Sequence, residues 1–164
     1  MEGENKMKLK KTLVRLVSIL ILVATGLVLS SKVEAKYVGH NATPTELRGT
    51  WYEYKGHNKW NHIKITKHAF IQNGQVLCSL NKKGYKKLHV TRYKQNGRPY
   101  YVLNKFNYHY QEVGSFWLSK RKIYGKRVMK SYYNMGYFSV CTRNKIKHDY
   151  SYQTKGNYKK QLGK

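Results

Sequence analysis

Acidic side chains are scarce in this chain: 7 Asp and Glu stand against 33 Lys and Arg over 164 residues, a formal net charge of +26. Beyond residue 35 only Glu46, Glu53, Glu112 and Asp149 can supply a carboxylate. Two-carboxylate acid–base catalysis needs both groups within about 5–10 Å of each other. Glu46 and Glu53 lie at the two ends of one expected strand, roughly 20 Å apart at ~3.3 Å per residue. Gly-x-Ser-x-Gly elbows and phosphate-cradling glycine loops are both missing. Cysteine is limited to Cys78 and Cys141, and Cys141 falls mid-strand, where a thiol is buried or paired rather than presented as a nucleophile. The histidines (His40, His57, His62, His68, His89, His109, His148) are scattered. Along a strand His62 and His68 would stand about 20 Å apart, too far to share an ion. The expectation is a non-enzymatic protein with no cofactor and no metal site.

Long apolar runs are also few. The one that matters is Leu16–Leu29, 14 uncharged residues preceded by Lys6, Lys8, Lys10, Lys11 and Arg15. Val33-Glu34-Ala35 follows, with small residues at the two positions a signal peptidase reads, so residues 1–35 are expected to be a signal peptide cleaved after Ala35. As a helix the run spans about 21 Å, short of a ~30 Å hydrocarbon core; an uncleaved anchor is the competing reading. No cysteine follows the run to be acylated, so the product is expected outside the cell, released or associated with the wall without a membrane span.

The first 35 residues hold 6 of the basic and 3 of the acidic side chains, leaving 27 basic and 4 acidic in the remainder, a net charge of about +23. A charge of that size destabilises a compact state unless counter-anions gather around it. Composition of this kind can signal disorder, but all 16 tyrosines and all 3 tryptophans fall in the same part, which argues for a core. Outside a cell the polyanions on offer are teichoic-acid-like polymers and acidic polysaccharides of the envelope, with released nucleic acid bound only non-specifically. The candidate contacts are Lys86, Lys87, Arg92, Lys94, Arg98, Lys120, Arg121, Lys122, Lys126 and Arg127, several beside tyrosines that can stack on sugars or bases. Cation clusters of this kind give salt-dependent, largely sequence-blind binding. Cys78 and Cys141 are either a disulfide, worth roughly 4 kcal/mol in the chain-entropy model for a loop of about 60 residues, or two buried thiols.

Helical periodicity is absent after residue 36. Short alternating segments recur instead: 50–54, 62–67, 69–72, 75–80, 87–94, 99–105, 116–121, 127–132 and 137–142, broken by Asn-Gly and similar turn pairs. Pro44 and Pro99 sit at strand entries, where proline is tolerated. The pattern predicts an all-β domain over 36–145, an up-and-down meander of about eight short strands closing, or nearly closing, into a barrel. A two-sheet sandwich is the main competitor. Residues 146–164 have lost the alternation and are expected to form a frayed basic tail.

At Leu47-Arg48-Gly49-Thr50-Trp51-Tyr52 the chain resembles the opening of a lipocalin-type barrel, whose first strand carries Gly-x-Trp. That resemblance implies that Gly49 and Trp51 lie at one barrel end and that Arg143 packs across the tryptophan. The longer run from Thr43 to Tyr52, followed by Ile65-Thr66-Lys67-His68, resembles small secreted lipocalin-like (calycin-type) proteins of unknown function from lactic-acid bacteria. It implies the fold, and a small apolar ligand as an alternative to the polyanion; an inhibitor or immunity-type protein with an acidic partner is a third reading. The basic surface departs from a typical apolar lipocalin cup.

Overall fold

A computed structural model describes residues 34–39, 42–83, 86–95, 97–105 and 113–164. The expected export segment, apart from Glu34 and Ala35, lies outside the described residues, as do Glu112, His40 and His109. Val33–Lys164 form one compact unit.

Eleven strands are described: β1 (Glu34–Gly39), β2 (Gly49–Tyr54), β3 (Trp60–Ile65), β4 (Ala69–Gln72), β5 (Gln75–Ser79), β6 (Leu88–Gln95), β7 (Arg98–Lys105), β8 (Ser115–Ile123), β9 (Lys126–Tyr132), β10 (Tyr137–Cys141) and β11 (Tyr152–Gln153). Strands β2 to β10 fall on the alternating segments of the sequence. They form two antiparallel sheets, β2-β3-β4-β5 and β1-β6-β7-β8-β9-β10-β11. The β8–β9 connection shows how the turns are made. Tyr124 and Gly125 take φ of 47° and 74°, the left-handed pair that matches the twist of a two-residue hairpin, with glycine supplying the second position at no steric cost.

Among the described residues the meander does not close into a continuous barrel. Two isolated bridges join the sheets, Tyr52 to Thr142 and Ser79 to Lys87. The first carries reciprocal backbone bonds of 2.8 and 2.9 Å. The strand edges explain the departure. Strand β1 pairs along β6, from Glu34 opposite Lys94 to Gly39 opposite Val90, and so takes the edge that closure would give to β5. Strand β11 likewise takes the Tyr137–Phe138 end of β10. Barrel closure needs both edges of the meander free; here each is largely occupied.

The sheets face each other across a shared core. Trp51, Ile63, Ile65 and Phe70 come from the four-stranded sheet, and Leu88, Val90, Leu103, Phe116 and Met129 from the other. The Phe70 and Phe116 rings meet at 5.2 Å. Leu47, in a short 3-10 turn over Thr45–Leu47, closes one end.

The seven-stranded sheet is covered on its outer face too. There Tyr100, Trp117, Tyr132 and Phe138 form a second cluster with Leu162, joined by Tyr152 and Tyr158. The tail expected to fray is therefore folded. It supplies β11 and a 3-10 turn over Tyr158–Gln161, and Trp117 Nε1 donates to the Lys164 carbonyl at 2.6 Å. Its lysines obscure three apolar anchors, Tyr152, Tyr158 and Leu162, spaced too widely to read as alternation.

No disulfide joins Cys78 and Cys141; both side chains are buried. They belong to different sheets and pack in the common core as small apolar groups. Burial, with the Glu53 carboxylate adding to it, pushes the Cys141 thiol far above its ordinary range. Iodoacetamide at pH 8 is expected to leave Cys141 unmodified in the folded protein and to alkylate both thiols in denaturant without prior reduction. Recovery of a 78–141 cross-linked peptide from unreduced protein would contradict this arrangement.

Candidate functional site

Antiparallel pairing decides which of the ten candidate cations share a neighbourhood. Tyr101 and Val102 of β7 face Phe116 and Ser115 of β8, so the turn before β7 and the turn after β8 lie at the same end of the sheet. Lys94, Arg98, Lys120, Arg121, Lys122, Lys126 and Arg127 all flank those two turns. Lys86 and Lys87 precede β6 and are at the opposite end. Arg92 is within β6, opposite Tyr101, to whose hydroxyl it hydrogen-bonds.

Three of these cations line one cavity. Arg98 of β7, Lys120 of β8 and Arg127 of β9 surround a space of about 210 Å³, with Pro99, Tyr101, Leu118, Glu46 and Gly163 completing the wall. A register irregularity between Leu118 and Lys122 interrupts the β8–β9 ladder, and Arg127 takes up the carbonyls this leaves. Its Nε donates to Ser119 O at 2.9 Å and a terminal nitrogen to Leu118 O at 2.7 Å. Two donors are thereby fixed and the guanidinium plane is set, while its remaining N–H groups are left for other acceptors.

The cavity's carboxylate is already engaged. Tyr101 Oη donates to Glu46 Oε1 at 2.5 Å. Burial, reinforced by the Glu46 carboxylate, pushes the Tyr101 ionisation up to about 12, so the phenol stays a donor. Glu46 thus neutralises part of the site without pairing with any of the three cations in the bonds described.

A further cation, Lys130, sits on the outer face between Val128 and Tyr132 and is 8% exposed. Its ammonium donates to Tyr152 Oη at 3.3 Å and lies 5.3 Å from that ring. Burial lowers its proton affinity, and the cations Arg121, Arg98 and Lys164 lower it further. Alternation in β9 carried the signal: a lysine flanked at i±2 by Val128 and Tyr132 shares their covered outer face.

At the same end as the two hairpin turns, Arg143 lies with its guanidinium carbon 3.5 Å from the Trp51 ring centre. The indole is wholly buried and its Nε1 donates to Leu47 O at 2.8 Å. Gly49 makes the stack fit. Its φ is +110°, and a Cβ there would fall 2.2 Å from Arg143 Nη1.

Among the described residues the other side-chain carboxylates beyond β1, Glu53 and Asp149, are engaged within the fold. Glu53 is 1% exposed because it shares the inward face of β2 with Trp51. It accepts from Lys55 Nζ at 2.7 Å, Asn61 Nδ2 at 3.1 Å and Ser151 Oγ at 3.1 Å. Burial alone would weaken the Lys55 ammonium's hold on its proton, but Glu53 outweighs that and raises its pKa. Asp149 Oδ1 accepts from the Ser151 amide at 2.9 Å. His62 stacks on Tyr52 and His148 packs against Tyr150. Among the described residues no three His, Cys, Asp or Glu side chains gather as metal ligands. Compared with family models, curated proteins and solved structures, the chain matches none.

Proposed function

We propose that the protein is a secreted, non-enzymatic binder of anionic cell-envelope polymers, teichoic-acid-like or acidic polysaccharide, that engages them with the end of the domain carrying Arg98, Lys120 and Arg127. The observation behind this reading is the 210 Å³ cavity, where three strands bring three cations together and the lining carboxylate is held by Tyr101. Arg121, Lys122 and Lys126 flank it on the same β8–β9 hairpin that supplies Lys120 and Arg127 and extend the contact along a chain of repeating charges.

In fold terms the bridged seams at Tyr52–Thr142 and Ser79–Lys87 favour a nearly closed, lipocalin-like barrel opened by β1 and β11. The Arg143–Trp51 stack is in keeping with that kinship. A carrier of an apolar ligand between the sheets has less support, because Trp51, Phe70 and Phe116 occupy that space.

The test is retention on teichoic-acid-bearing wall fragments across a salt series. Neutralising phosphate charge with fixed cations makes log K fall with log salt, by roughly 0.7 per contact on a flexible polyanion. Arg98→Gln/Lys120→Gln/Arg127→Gln is expected to flatten the slope by about 2 and weaken binding at least tenfold at 0.15 M salt. Lys86→Gln/Lys87→Gln, at the opposite end, is expected to change both little, with circular dichroism confirming that each variant is folded. Equal losses in the two variants would assign binding to overall charge, and binding unchanged at 0.5 M salt would overturn the polyanion reading. Retention of a stoichiometric acidic protein from culture supernatant, with no polymer, would replace the partner class.

A further inference from the structure

On the outer face of the seven-stranded sheet the cross-strand order sets one small side chain among large ones. Val102 faces Ser115 and Ser115 faces Tyr132, so a serine sits low between a valine and a tyrosine. Tyr93 and Tyr100 are cross-strand partners one row away. The result is a cavity of about 350 Å³ floored by Ser115, within the roughly 300–1,000 Å³ usual for small-molecule sites.

Its walls are two tyrosine stacks. Tyr93 and Tyr100 lie 5.2 Å apart and 13° from parallel; Tyr132 and Tyr158 lie 4.6 Å apart and 14° from parallel. Tyr158 belongs to the C-terminal 3-10 turn, which roofs the cavity. Asn157 caps that turn by accepting from the Lys159 amide at 3.1 Å, and Leu162, 7% exposed, anchors it.

The chemistry of the lining restricts the occupant. Aromatic faces and C–H surface are combined with phenol and serine hydroxyls, the Gln95 amide and the Lys159 ammonium, and among the described residues no carboxylate lines the wall. A cation would meet the Lys159 ammonium with no described carboxylate on the wall to neutralise it. A purely apolar ligand would strip water from several hydroxyls without replacing their hydrogen bonds. Burial, then the adjacent Tyr93 and Tyr158, raise the Tyr100 ionisation to about 12, so this phenol stays neutral as both donor and acceptor. A saturated ring with C–H faces and hydroxyl edges meets both halves of the wall.

We propose that this cavity is a saccharide site that takes one pyranose ring of a neutral glycan between the two tyrosine stacks. It adjoins the cationic cavity, Gln95 being opposite Arg98, but shares no lining residue with it and uses none of Arg98, Lys120 or Arg127. Calorimetric titration with an N-acetylglucosamine tetrasaccharide and with maltotetraose, both in 0.5 M NaCl so that charge is screened, tests it. Saturable binding of at least one is expected, accompanied by a change in tryptophan emission, because Trp117 packs in the same cluster. Tyr158→Ala and Tyr93→Ala are each expected to weaken it at least tenfold, and Ser115→Val, which raises the floor, to do the same. Arg98→Gln/Lys120→Gln/Arg127→Gln is expected to stay within twofold. Absence of saturable binding to either sugar, or affinity within twofold in folded Tyr158→Ala and Ser115→Val, would overturn the proposal. So would saturation by adenosine but by neither sugar. None of these outcomes touches the salt-dependence test of the polyanion reading.

Discussion

Trp51→Ala is expected to lower the urea midpoint by about 2 M and leave a substantial unfolded fraction at 37 °C. Three losses coincide. The indole is wholly buried, and removing such a ring costs about 3–5 kcal/mol in transfer and cavity terms. The Leu47 carbonyl loses its donor at 2.8 Å, a bond worth about 1 kcal/mol. Arg143 loses the ring face it covers at 3.5 Å, on the order of 1–2 kcal/mol where partly desolvated. Non-additivity keeps the total near 4–5 kcal/mol, against a typical domain stability of about 5–15 kcal/mol. With a urea m-value of about 2 kcal/mol/M, that gives the shift. Trp51→Phe keeps most of the buried area and should cost less than half as much. A midpoint within 0.5 M of the parent for Trp51→Ala would show that the tryptophan does not organise this end of the core.

Ending the chain after Asp149 is expected to abolish cooperative unfolding or cause aggregation. The deletion uncovers Trp117, Tyr132 and Phe138, now 1%, 8% and 0% exposed, and removes the Tyr152 and Tyr158 rings stacked on the last two. Burial of each such side chain is worth roughly 1.5–3 kcal/mol, and an apolar patch of that extent invites association. Glu53 also loses the Ser151 hydroxyl. Charge works in the opposite direction. The deleted segment carries Lys155, Lys159, Lys160 and Lys164, so its removal relieves self-repulsion, which by itself would stabilise the remainder. A truncated protein that melts sharply at the parent temperature would restore the picture of a dispensable basic tail.

Most strands were legible because two independent signals agreed. Alternation placed Ile63 and Ile65, or Val128 and Lys130, on one face, and turn pairs such as Tyr124-Gly125 marked where the chain reverses. The edges were not legible. Whether a meander closes depends on what else competes for its outer strands, and β1 pairs with β6 across the whole of the chain between Gly39 and Leu88. Its sequence, Glu34–Gly39, overlaps the end of the expected export signal, and the expected cleavage point after Ala35 falls inside the strand.

For the cationic end, the residue types were visible but their grouping was not. Arg98, Lys120 and Arg127 come together through pairing register and the irregularity between Leu118 and Lys122, and a shift of one residue would turn a side chain to the other face. The tyrosine-lined cavity depends on an even smaller feature, a serine opposite large neighbours on both sides, which only the register exposes. Glu53 was within reach of sequence reasoning, since i and i+2 on a strand share a face and its partner in that relation is Trp51.

The bonds around Glu53 bear on the order in which the molecule assembles. Its carboxylate in β2 receives the Ser151 hydroxyl from 98 positions later in the chain, and the Tyr52–Thr142 seam closes a loop of similar length. Such contacts form only after a large loss of chain freedom, and folds dominated by them mature in about milliseconds to seconds rather than microseconds. A nascent chain lacking residues 150–164 therefore has Glu53 without its Ser151 partner and the outer sheet face without its roof. Completion waits for residues 150–164, and until they emerge the outer sheet face stays open to a chaperone or a protease.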